Sequence, residues 1–453
     1  MDGIRPGITD LTRNASHVGV SGNYGKEGQA KKTEEEPKDQ VTLQGLRYSN
    51  KDLNASGKLG VIIKASDPEK LEQMKQKLLE NPNNNIKADL PLIGGFAAEI
   101  DPGSQMGVMP QLDASTKDIR VFLDEQVHFI EPVDKKDNEV SALMDVAGKT
   151  LNVDKAWAAG YKGKGITICV IDTGIAQHPD MKERIIGFKD FVNKKEEAYD
   201  DQGHGTHCAG IAAGDGKSSS GKYSGVAPEA SLVGVKVLNS SGSGAFSDVI
   251  SGIQWAVENK DKFGINVISM SLGGYASQSY KDDPVAQAVE AAVDKGIITC
   301  VAAGNSGPSG KTIGTPGTAP HVLTVGALDD KGTLDRSDDG VAYFSSRGPS
   351  VDGLVKPDVL TPGVNITAPK NTGGYTTMSG TSMANPFAAG LTALLKQAAP
   401  TLSPGEVKGV IMGTADKLPK GSAFDQGAGV FDIVEALEKV TGKPLEQPVP
   451  QKP

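Results

Sequence analysis

Short runs of consecutive apolar residues, each followed by a glycine or a small polar residue, recur through the C-terminal two thirds of the chain. They occupy residues 165–172 and 297–303, and a third run ends in the segment 269–274. Unbroken apolar runs of this length indicate strands buried on both faces of a sheet. Longer apolar stretches rich in small residues begin at residue 204 and span 382 to about 399, and they indicate buried helices. This alternation is typical of an open α/β sheet.

The N-terminal third has a different pattern. Residues 1–55 are polar and rich in Gly, Asn, Lys and Glu, which predicts a disordered segment. The apolar residues that follow predict a β-α-β-β-α-β order, which indicates a small ferredoxin-like α+β unit. Its predicted elements are a strand at 59–65, a helix from 67 to about 80, one or two strands within 90–100, a helix at 105–113 and a strand at 119–123.

Composition narrows the class of protein. With 453 residues the chain can form one large domain and one small one. Its formal net charge of −9 argues against nucleic acid as a partner, and its apolar stretches are shorter than a membrane span. Three cysteines leave at least one unpaired, so we expect buried core thiols and no disulfide framework.

Ser382 lies where a small, flexible turn meets the first turn of a predicted apolar helix. Backbone N–H groups without an intrahelical acceptor and the positive end of the helix dipole surround such a position. Developing negative charge would be stabilised there, which suits an acyl-transfer nucleophile. A serine that opens a helix is more often a simple N-cap, so this position alone leaves both interpretations open.

Two further segments carry groups that could activate a serine. Asp172 ends a predicted buried strand, and catalytic groups in open α/β sheets gather at the carboxyl ends of strands. His204 lies between glycines at the start of another predicted helix. Asp172 could instead be an ordinary turn residue, and His204 with His207 could suggest a metal site. No H-E-x-x-H motif or Cys-x-x-Cys pair accompanies the two histidines, which disfavours zinc.

The three segments follow one another in the order Asp, His, Ser, which is the order found in subtilisin. The chain resembles the subtilisin family of serine endopeptidases (subtilases) over about residues 150–440. The resemblance is carried by Val170-Ile171-Asp172-Thr173-Gly174, His204-Gly205-Thr206-His207 and Gly380-Thr381-Ser382-Met383-Ala384. It implies an α/β, subtilisin-like, mostly parallel sheet with helices on both faces. It also implies peptide-bond hydrolysis by Ser382 without a cofactor, with His204 as the base and Asp172 as its orienting partner.

Two alternatives from other classes remain at this point. A catalytically silent relative that acts as a binding or regulatory protein is disfavoured because the Asp, His and Ser are all intact. A nucleotide-binding α/β protein is disfavoured because no G-x-G-x-x-G opens a helix after the first strand and no P-loop occurs.

The resemblance further implies a substrate cleft. Asn305 in Val301-Ala302-Ala303-Gly304-Asn305-Ser306-Gly307 would be the side-chain oxyanion donor, although a turn residue between glycines is the plainer interpretation. Uncharged residues would form the walls of the pocket for the P1 side chain, so we expect broad specificity for large uncharged P1 residues. The expected substrate-binding residues are Ser243, Gly244, Ser271, Leu272, Gly273, Ala302, Ala303, Gly304 and Gly314.

The N-terminal α+β unit resembles the propeptide of subtilases, an inhibitor and folding assistant, although an unrelated small domain is the alternative. We expect a disordered segment at 1–55, the propeptide at 56–131, a linker and processing region at 132–147, the catalytic domain at 148–441 and a Pro-rich tail at 442–453. The segment near 126–132 would lie in the substrate cleft. Ser382 would then cut a bond between about Glu131 and Asp145, so that the chain is a zymogen that processes itself.

Three further expectations concern metal, partners and location. Asp180 matches an early calcium ligand of the family, but the loop 213–221 lacks the usual Asn-rich turn, so structural calcium stays an open expectation. We expect a monomer whose partners are protein or peptide substrates and its own propeptide. No apolar core of a secretory signal is evident, which favours the cytoplasm by default, with export by another route or a shortened chain as the alternative.

Overall fold

The computed structural model describes residues 41–43, 46–48, 50–54, 56–101, 118–133 and 144–445. The strands are β1 (Val41–Leu43), β2 (Leu46–Tyr48), β3 (Leu59–Ala65), β4 (Asn85–Leu90), β5 (Gly95–Ile100), β6 (Ile119–Leu123), β7 (Gln126–Phe129), β8 (Thr167–Asp172), β9 (Ile185–Asp190), β10 (Ser231–Lys236), β11 (Ser243–Ala245), β12 (Ile265–Met270), β13 (Leu272–Gly273), β14 (Ile298–Ala302), β15 (Leu323–Asp329), β16 (Gly340–Val341), β17 (Val359–Pro362), β18 (Ile366–Pro369) and β19 (Tyr375–Met378). The α-helices are α1 (Pro68–Leu79), α2 (Met144–Thr150), α3 (Val153–Ala158), α4 (His204–Ala213), α5 (Phe246–Glu258), α6 (Lys260–Phe263), α7 (Pro284–Asp294), α8 (Thr381–Ala398), α9 (Pro404–Gly413), α10 (Ala423–Gln426) and α11 (Ile433–Thr441).

The largest sheet in the described residues has eight strands and organises the C-terminal two thirds of the chain. Its order is β16-β15-β14-β12-β8-β10-β9, with β17 pairing to β15, and all of these pairs except β15–β16 are parallel. Helices cover both faces, because the central strands are apolar on both sides. One apolar cluster contains residues of α4 and α8, and a second cluster on the opposite face contains residues of α5 and α7. The predicted α/β class with a mostly parallel sheet is therefore confirmed.

The N-terminal unit, which we define as β3–β6 with α1, is a four-stranded antiparallel sheet of order β4-β5-β3-β6. This order is the one expected of a ferredoxin-like sheet. Asp67 caps α1 by accepting a hydrogen bond from the Glu69 backbone N–H, and Pro68 occupies the first turn. The second predicted helix, at 105–113, lies outside the described residues.

Alternation along β3 explains how the N-terminal unit packs. Val61 and Ile63 face α1, whereas Ile62 joins the apolar cluster that contains α5. Leu90 and Ile93 contribute to the same cluster, so the free face of this sheet packs on the large domain.

Two boundaries differ from the sequence expectation. Residues 41–43 and 46–48 form the antiparallel pair β1–β2 inside the segment expected to be disordered. The sequence of these two segments alternates Val, Leu and Tyr with polar residues, a pattern that suits a short hairpin, although the surrounding composition is polar. Helix α2 also begins at Met144, inside the predicted linker 132–147. Residues 134–143 of that linker, and the tail beyond residue 445, lie outside the described residues.

A small sheet joins the two parts of the chain. Strand β7, which directly follows the N-terminal unit, pairs antiparallel with β11 on one side and with β13 on the other. Among the described residues, no helix combines the length and the apolar character that a membrane span requires.

Candidate active site

Asp172 and His204 meet at the carboxyl edge of the large sheet. Asp172 is the last residue of β8 and His204 is the first of α4, and both side chains are 1% exposed. His204 Nδ1–H donates to Asp172 Oδ1 at 2.8 Å. Gly205 permits this approach, because a Cβ at that position would lie 2.2 Å from the backbone oxygen of Gly174.

The imidazole of His204 is held as a strong base. Burial lowers its pKa, but the adjacent Asp172 carboxylate raises it, and the resulting pKa lies well above 6.5. Asp172 Oδ1 also accepts from the backbone N–H of Thr173 at 2.7 Å, which fixes the carboxylate. This arrangement orients the ring and favours the imidazolium that a general base must become.

Ser382 is the second residue of α8, and its hydroxyl hydrogen-bonds to backbone carbonyl groups and not to His204. Its Oγ lies 3.0 Å from the carbonyl oxygen of Ile130 and 3.1 Å from that of Ser271. His204 Nε2 is buried and has no hydrogen-bond partner among the described residues. The structure therefore shows no hydrogen bond between Ser382 Oγ and His204 Nε2.

Asn305 follows β14 and directs its amide into the same cleft. Its Oδ1 accepts from the backbone N–H of Thr381 at 2.9 Å and from Thr381 Oγ1 at 3.0 Å. These contacts leave Nδ2 facing the cleft, where it donates to the carbonyl oxygen of Glu131 at 2.7 Å. Thr381 therefore orients the donor, a role that the sequence interpretation did not assign.

The cleft segment, which we define as residues 126–133, fills the groove beside these groups as the central strand of the small sheet. Ser243 and Gly244 of β11 pair with His128 and Val127, and Leu272 and Gly273 of β13 pair with Phe129 and His128. The backbone N–H of Ile130 then donates to the Ser271 carbonyl at 3.2 Å. The ring of Phe129 lies 4.7 Å from that of His204, measured between centroids.

A cavity of about 590 Å³ opens beside Ile130 and Glu131. Five of the predicted substrate-binding residues line it: Gly273, Ala302, Ala303, Gly304 and Gly314. The lining residues that the sequence interpretation missed include Lys311 and Tyr275, the latter 84% exposed. Neither lies in a recognisable motif, so only the loop geometry places them at the rim.

Comparison with known proteins identifies the family to which a chain with this arrangement belongs. A model of the subtilase family matches residues 163–429, which is more than half of the chain. The chain belongs to the subtilase family. It is a serine endopeptidase of the subtilisin type.

Two characterised subtilases illustrate the relationship. Over 320 residues the chain is 48% identical to serine protease AprX of Bacillus subtilis (strain 168), covering 66% of this chain and 72% of that protein. Over 294 residues it is 42% identical to subtilisin DY of Bacillus licheniformis, covering 64% of this chain and 96% of that protein.

A solved structure supports the fold alone. The crystal structure of fervidolysin from Fervidobacterium pennivorans, described as a keratinolytic enzyme related to subtilisin, matches with a TM-score of 0.67 at 24% identity. The match covers 84% of this subtilase and 61% of the fervidolysin chain.

The surroundings of Asp180 in this subtilase do not fit calcium. Its Oδ1 accepts from the backbone N–H of Ser218 at 2.8 Å, and its Oδ2 accepts from the Tyr375 hydroxyl at 2.7 Å. Its backbone oxygen accepts from Arg184 at 2.6 Å. Calcium requires six to eight oxygen ligands, whereas hydrogen-bond donors already occupy the oxygens of Asp180. The expectation that Asp180 binds calcium therefore finds no support in its contacts.

The other histidine and the nearby cysteine do not form a second centre. His207 Nε2 donates to the Thr376 carbonyl at 3.1 Å, and burial lowers the pKa of His207 to about 3, so the ring is neutral. His204 and His207 thus have separate partners. Cys208 is a free, buried thiol whose sulfur lies 3.9 Å from His204 Nδ1 and 3.3 Å from the Ser382 carbonyl oxygen. Burial raises the pKa of Cys208, so its thiol stays neutral beside the base.

Proposed function

We propose that Ser382, His204 and Asp172 act as the catalytic triad. Ser382 Oγ attacks the scissile carbonyl carbon, His204 Nε2 takes its proton and later gives it to the leaving amine. Asp172 keeps the proton of His204 on Nδ1 through the 2.8 Å hydrogen bond and stabilises the imidazolium. Water then hydrolyses the acyl-enzyme, and no cofactor takes part in these steps.

Asn305 is the side-chain donor to the oxyanion, together with the backbone N–H of Ser382. Support comes from the fixed amide of Asn305, whose Nδ2 already donates to a backbone carbonyl of the cleft segment. A donor that is oriented before the reaction stabilises the developing charge without reorganisation. Ser382 lies in the first turn of α8, where backbone N–H groups lack intrahelical acceptors.

The P1 preference is for large uncharged side chains. The lining that the large domain contributes to the roomy cavity includes Ala302, Gly304 and Ile313 together with uncharged polar residues and Lys311, and among the described residues it includes no acid. An Arg or Lys side chain would therefore be desolvated there without a partner. Lys311 lies at the rim and could pair with an acidic P1 side chain, so an acidic P1 preference is the alternative. The test compares the rates of hydrolysis of peptides that differ only in having Phe, Leu, Lys or Glu at P1.

The chain is a zymogen that inhibits and then cuts itself. The observation that carries this proposal is the strand pairing of β7 in the cleft, which ends with Ser382 Oγ 3.0 Å from the Ile130 carbonyl oxygen. An extended segment paired on both sides fills the place that a substrate backbone would take. The N-terminal unit then acts as the propeptide.

Replacement of the nucleophile tests the proposal. A purified Ser382→Ala precursor should keep its full length, whereas the wild-type precursor should shorten, and a fluorophosphonate should label Ser382 in the shortened protein. A Ser382→Ala precursor that shortens at the wild-type rate in pure preparations would refute self-processing. Labelling of another residue would refute the triad.

A further inference from the structure

In the cleft segment, the nucleophile Ser382 and the oxyanion donor Asn305 contact two different, neighbouring carbonyl groups, although both must act on the same one. Ser382 Oγ lies 3.0 Å from the Ile130 carbonyl oxygen, whereas Asn305 Nδ2 donates to the Glu131 carbonyl oxygen at 2.7 Å. Acyl transfer requires the nucleophile and the oxyanion donor at the same carbonyl. The segment is therefore held between two registers, and either Ile130–Glu131 or Glu131–Pro132 could be the bond that is cut.

The strand pairing favours the first of these bonds. Pairing with β13 runs through His128 and Phe129, and the Ile130 N–H continues it by donating to the Ser271 carbonyl. The Ser271 carbonyl oxygen also lies 3.1 Å from Ser382 Oγ, so the strand pairing places Ile130 beside the nucleophile. Only one peptide group has to turn its carbonyl toward Asn305. Cutting after Glu131 would require the ladder to slip by one residue, which would reverse the faces of all its side chains.

The side chains on the two bonds point to the same choice. Ile130 is half-buried and apolar, and its Cδ1 lies 3.9 Å from where a Cβ on Gly273 would stand, at the wall of the cavity. Glu131 is exposed and charged, and moving it into the cavity would partly desolvate its carboxylate, whereas Ile130 carries no charge.

The leaving groups differ as well. The nitrogen of Glu131 is a secondary amide that His204 can protonate to release an ordinary α-amine. The nitrogen of Pro132 carries a ring carbon in place of hydrogen, and that ring also restricts the conformation of the residue before it. The second bond is therefore the poorer substrate on both counts.

We infer that Ser382 cuts the Ile130–Glu131 bond first, an inference that rests on the proposed function and names its substrate within the chain. Ser382 Oγ bonds to the carbonyl carbon of Ile130 while its proton moves to His204 Nε2. The bond from that carbon to the Glu131 nitrogen breaks, and His204 returns the proton to this nitrogen. Water then hydrolyses the ester, which leaves Ile130 as a carboxyl terminus and Glu131 as a new amino terminus. Until the carbonyl turns, the same segment inhibits the enzyme.

The experiment follows the earliest products of the purified full-length precursor. Samples are quenched in acid during processing, and intact masses and new N-termini are determined. We expect a fragment that ends at Ile130 and a partner that begins at Glu131. Ile130→Asp should slow this first cut by at least about tenfold, because the P1 pocket must then accept a charge. Leu79→Asp, the same chemical change at an exposed position of α1, should leave both the rate and the bond unchanged.

The outcomes separate this inference from the proposed function. If the earliest new N-terminus is Pro132 or a later residue while Ser382→Ala stays whole, the bond assignment is wrong and the zymogen proposal stands. If Ser382→Ala is shortened at the wild-type rate, the zymogen proposal itself fails. The wild-type masses decide the bond even if Ile130→Asp does not fold, and thermal unfolding of that variant in the Ser382→Ala background shows whether it does.

Discussion

Asp124, which directly follows β6 of the N-terminal unit, caps a helix of the large domain, and its replacement should weaken the binding of the N-terminal unit to the enzyme. Helix α5 begins after Ala245, which has no side chain able to cap it. Asp124 Oδ1 accepts from the backbone N–H of Ser247 at 2.8 Å, and Asp124 Oδ2 accepts from Ser247 Oγ at 2.6 Å. Lys87 Nζ lies 3.4 Å from the same carboxylate. The Asp124 side chain is only 5% exposed, so solvent screens these contacts little.

The magnitude follows from these contacts. An N-cap is worth about 0.5–2 kcal/mol, and a hydrogen bond to a charged group about 1.5–3 kcal/mol. Because the two overlap at one side chain, we expect Asp124→Ala to cost about 2–4 kcal/mol of association free energy. At 1.4 kcal/mol per tenfold, this corresponds to a dissociation constant raised about 30- to 700-fold.

The assay uses the processed but undissociated protein. Its complex is diluted in steps, and the activity that appears on a chromogenic peptide gives the dissociation constant of the cut N-terminal portion. Asp118→Ala is the matched control, because Asp118 forms an exposed ion pair with Lys70, and such pairs are worth about 0–1 kcal/mol. Ser247→Ala provides the partner for a double-mutant cycle.

Two results would refute the capping argument. One is an Asp124→Ala dissociation constant no larger than that of Asp118→Ala. The other is full additivity of Asp124→Ala with Ser247→Ala, because residues in one hydrogen-bond network should be coupled.

Four further predictions concern the active site and its surroundings. Asn305→Ala should lower kcat by about a hundred- to a thousandfold with little change in KM, a magnitude established in subtilisin itself; an unchanged kcat would remove Asn305 as the oxyanion donor. A bulky mercurial should inhibit the wild type but not Cys208→Ala, because a group on this sulfur displaces the adjacent imidazole; full activity after proven modification of Cys208 would contradict this. Because His204 must be neutral to accept a proton and its pKa is raised above 6.5, the initial self-processing rate should fall as pH is lowered through that pKa; a rate that stays constant or rises would contradict it. Tyr375→Phe should lower the free energy of unfolding by about 1–3 kcal/mol, because it leaves a buried oxygen of Asp180 without its hydrogen-bond donor. If Asp180 holds no calcium, a chelator should lower the midpoint of thermal unfolding equally in the wild type and in Asp180→Asn. Added calcium that raises this midpoint in the wild type but not in Asp180→Asn would contradict the prediction.

The sequence predicted best where one short segment encodes both an element and its chemistry. Asp172 ends an apolar strand and Ser382 opens an apolar helix, so the same residues that predict the fold also place the reactive groups at one edge of the sheet. The order of the N-terminal elements likewise predicted its sheet, because hydrophobic alternation is local.

Contacts between distant segments could not be predicted in this way. Asp124 caps a helix that begins 122 positions later (246 − 124), and nothing in its neighbours marks it as a cap. The sequence suggested Asp180 as a calcium ligand from its position in a family motif. The residues that donate hydrogen bonds to it, Ser218 and Tyr375, are distant along the chain, so only the folded structure shows that its oxygens are already occupied. The hairpin β1–β2 was missed because its few apolar residues lie within a polar segment whose composition outweighed them.

The sandwiching of β7 between β11 and β13 restricts what this enzyme can digest. Once that strand leaves, as the proposed activation of the zymogen requires, two facing rows of backbone donors and acceptors can pair with an extended polypeptide, largely independently of its side chains. A compact target offers no such length, because its own strands and helices already use those groups. Cleavage should therefore begin at flexible termini and loops, so that the rigidity of a substrate protein, more than its amino-acid composition, decides whether it is digested.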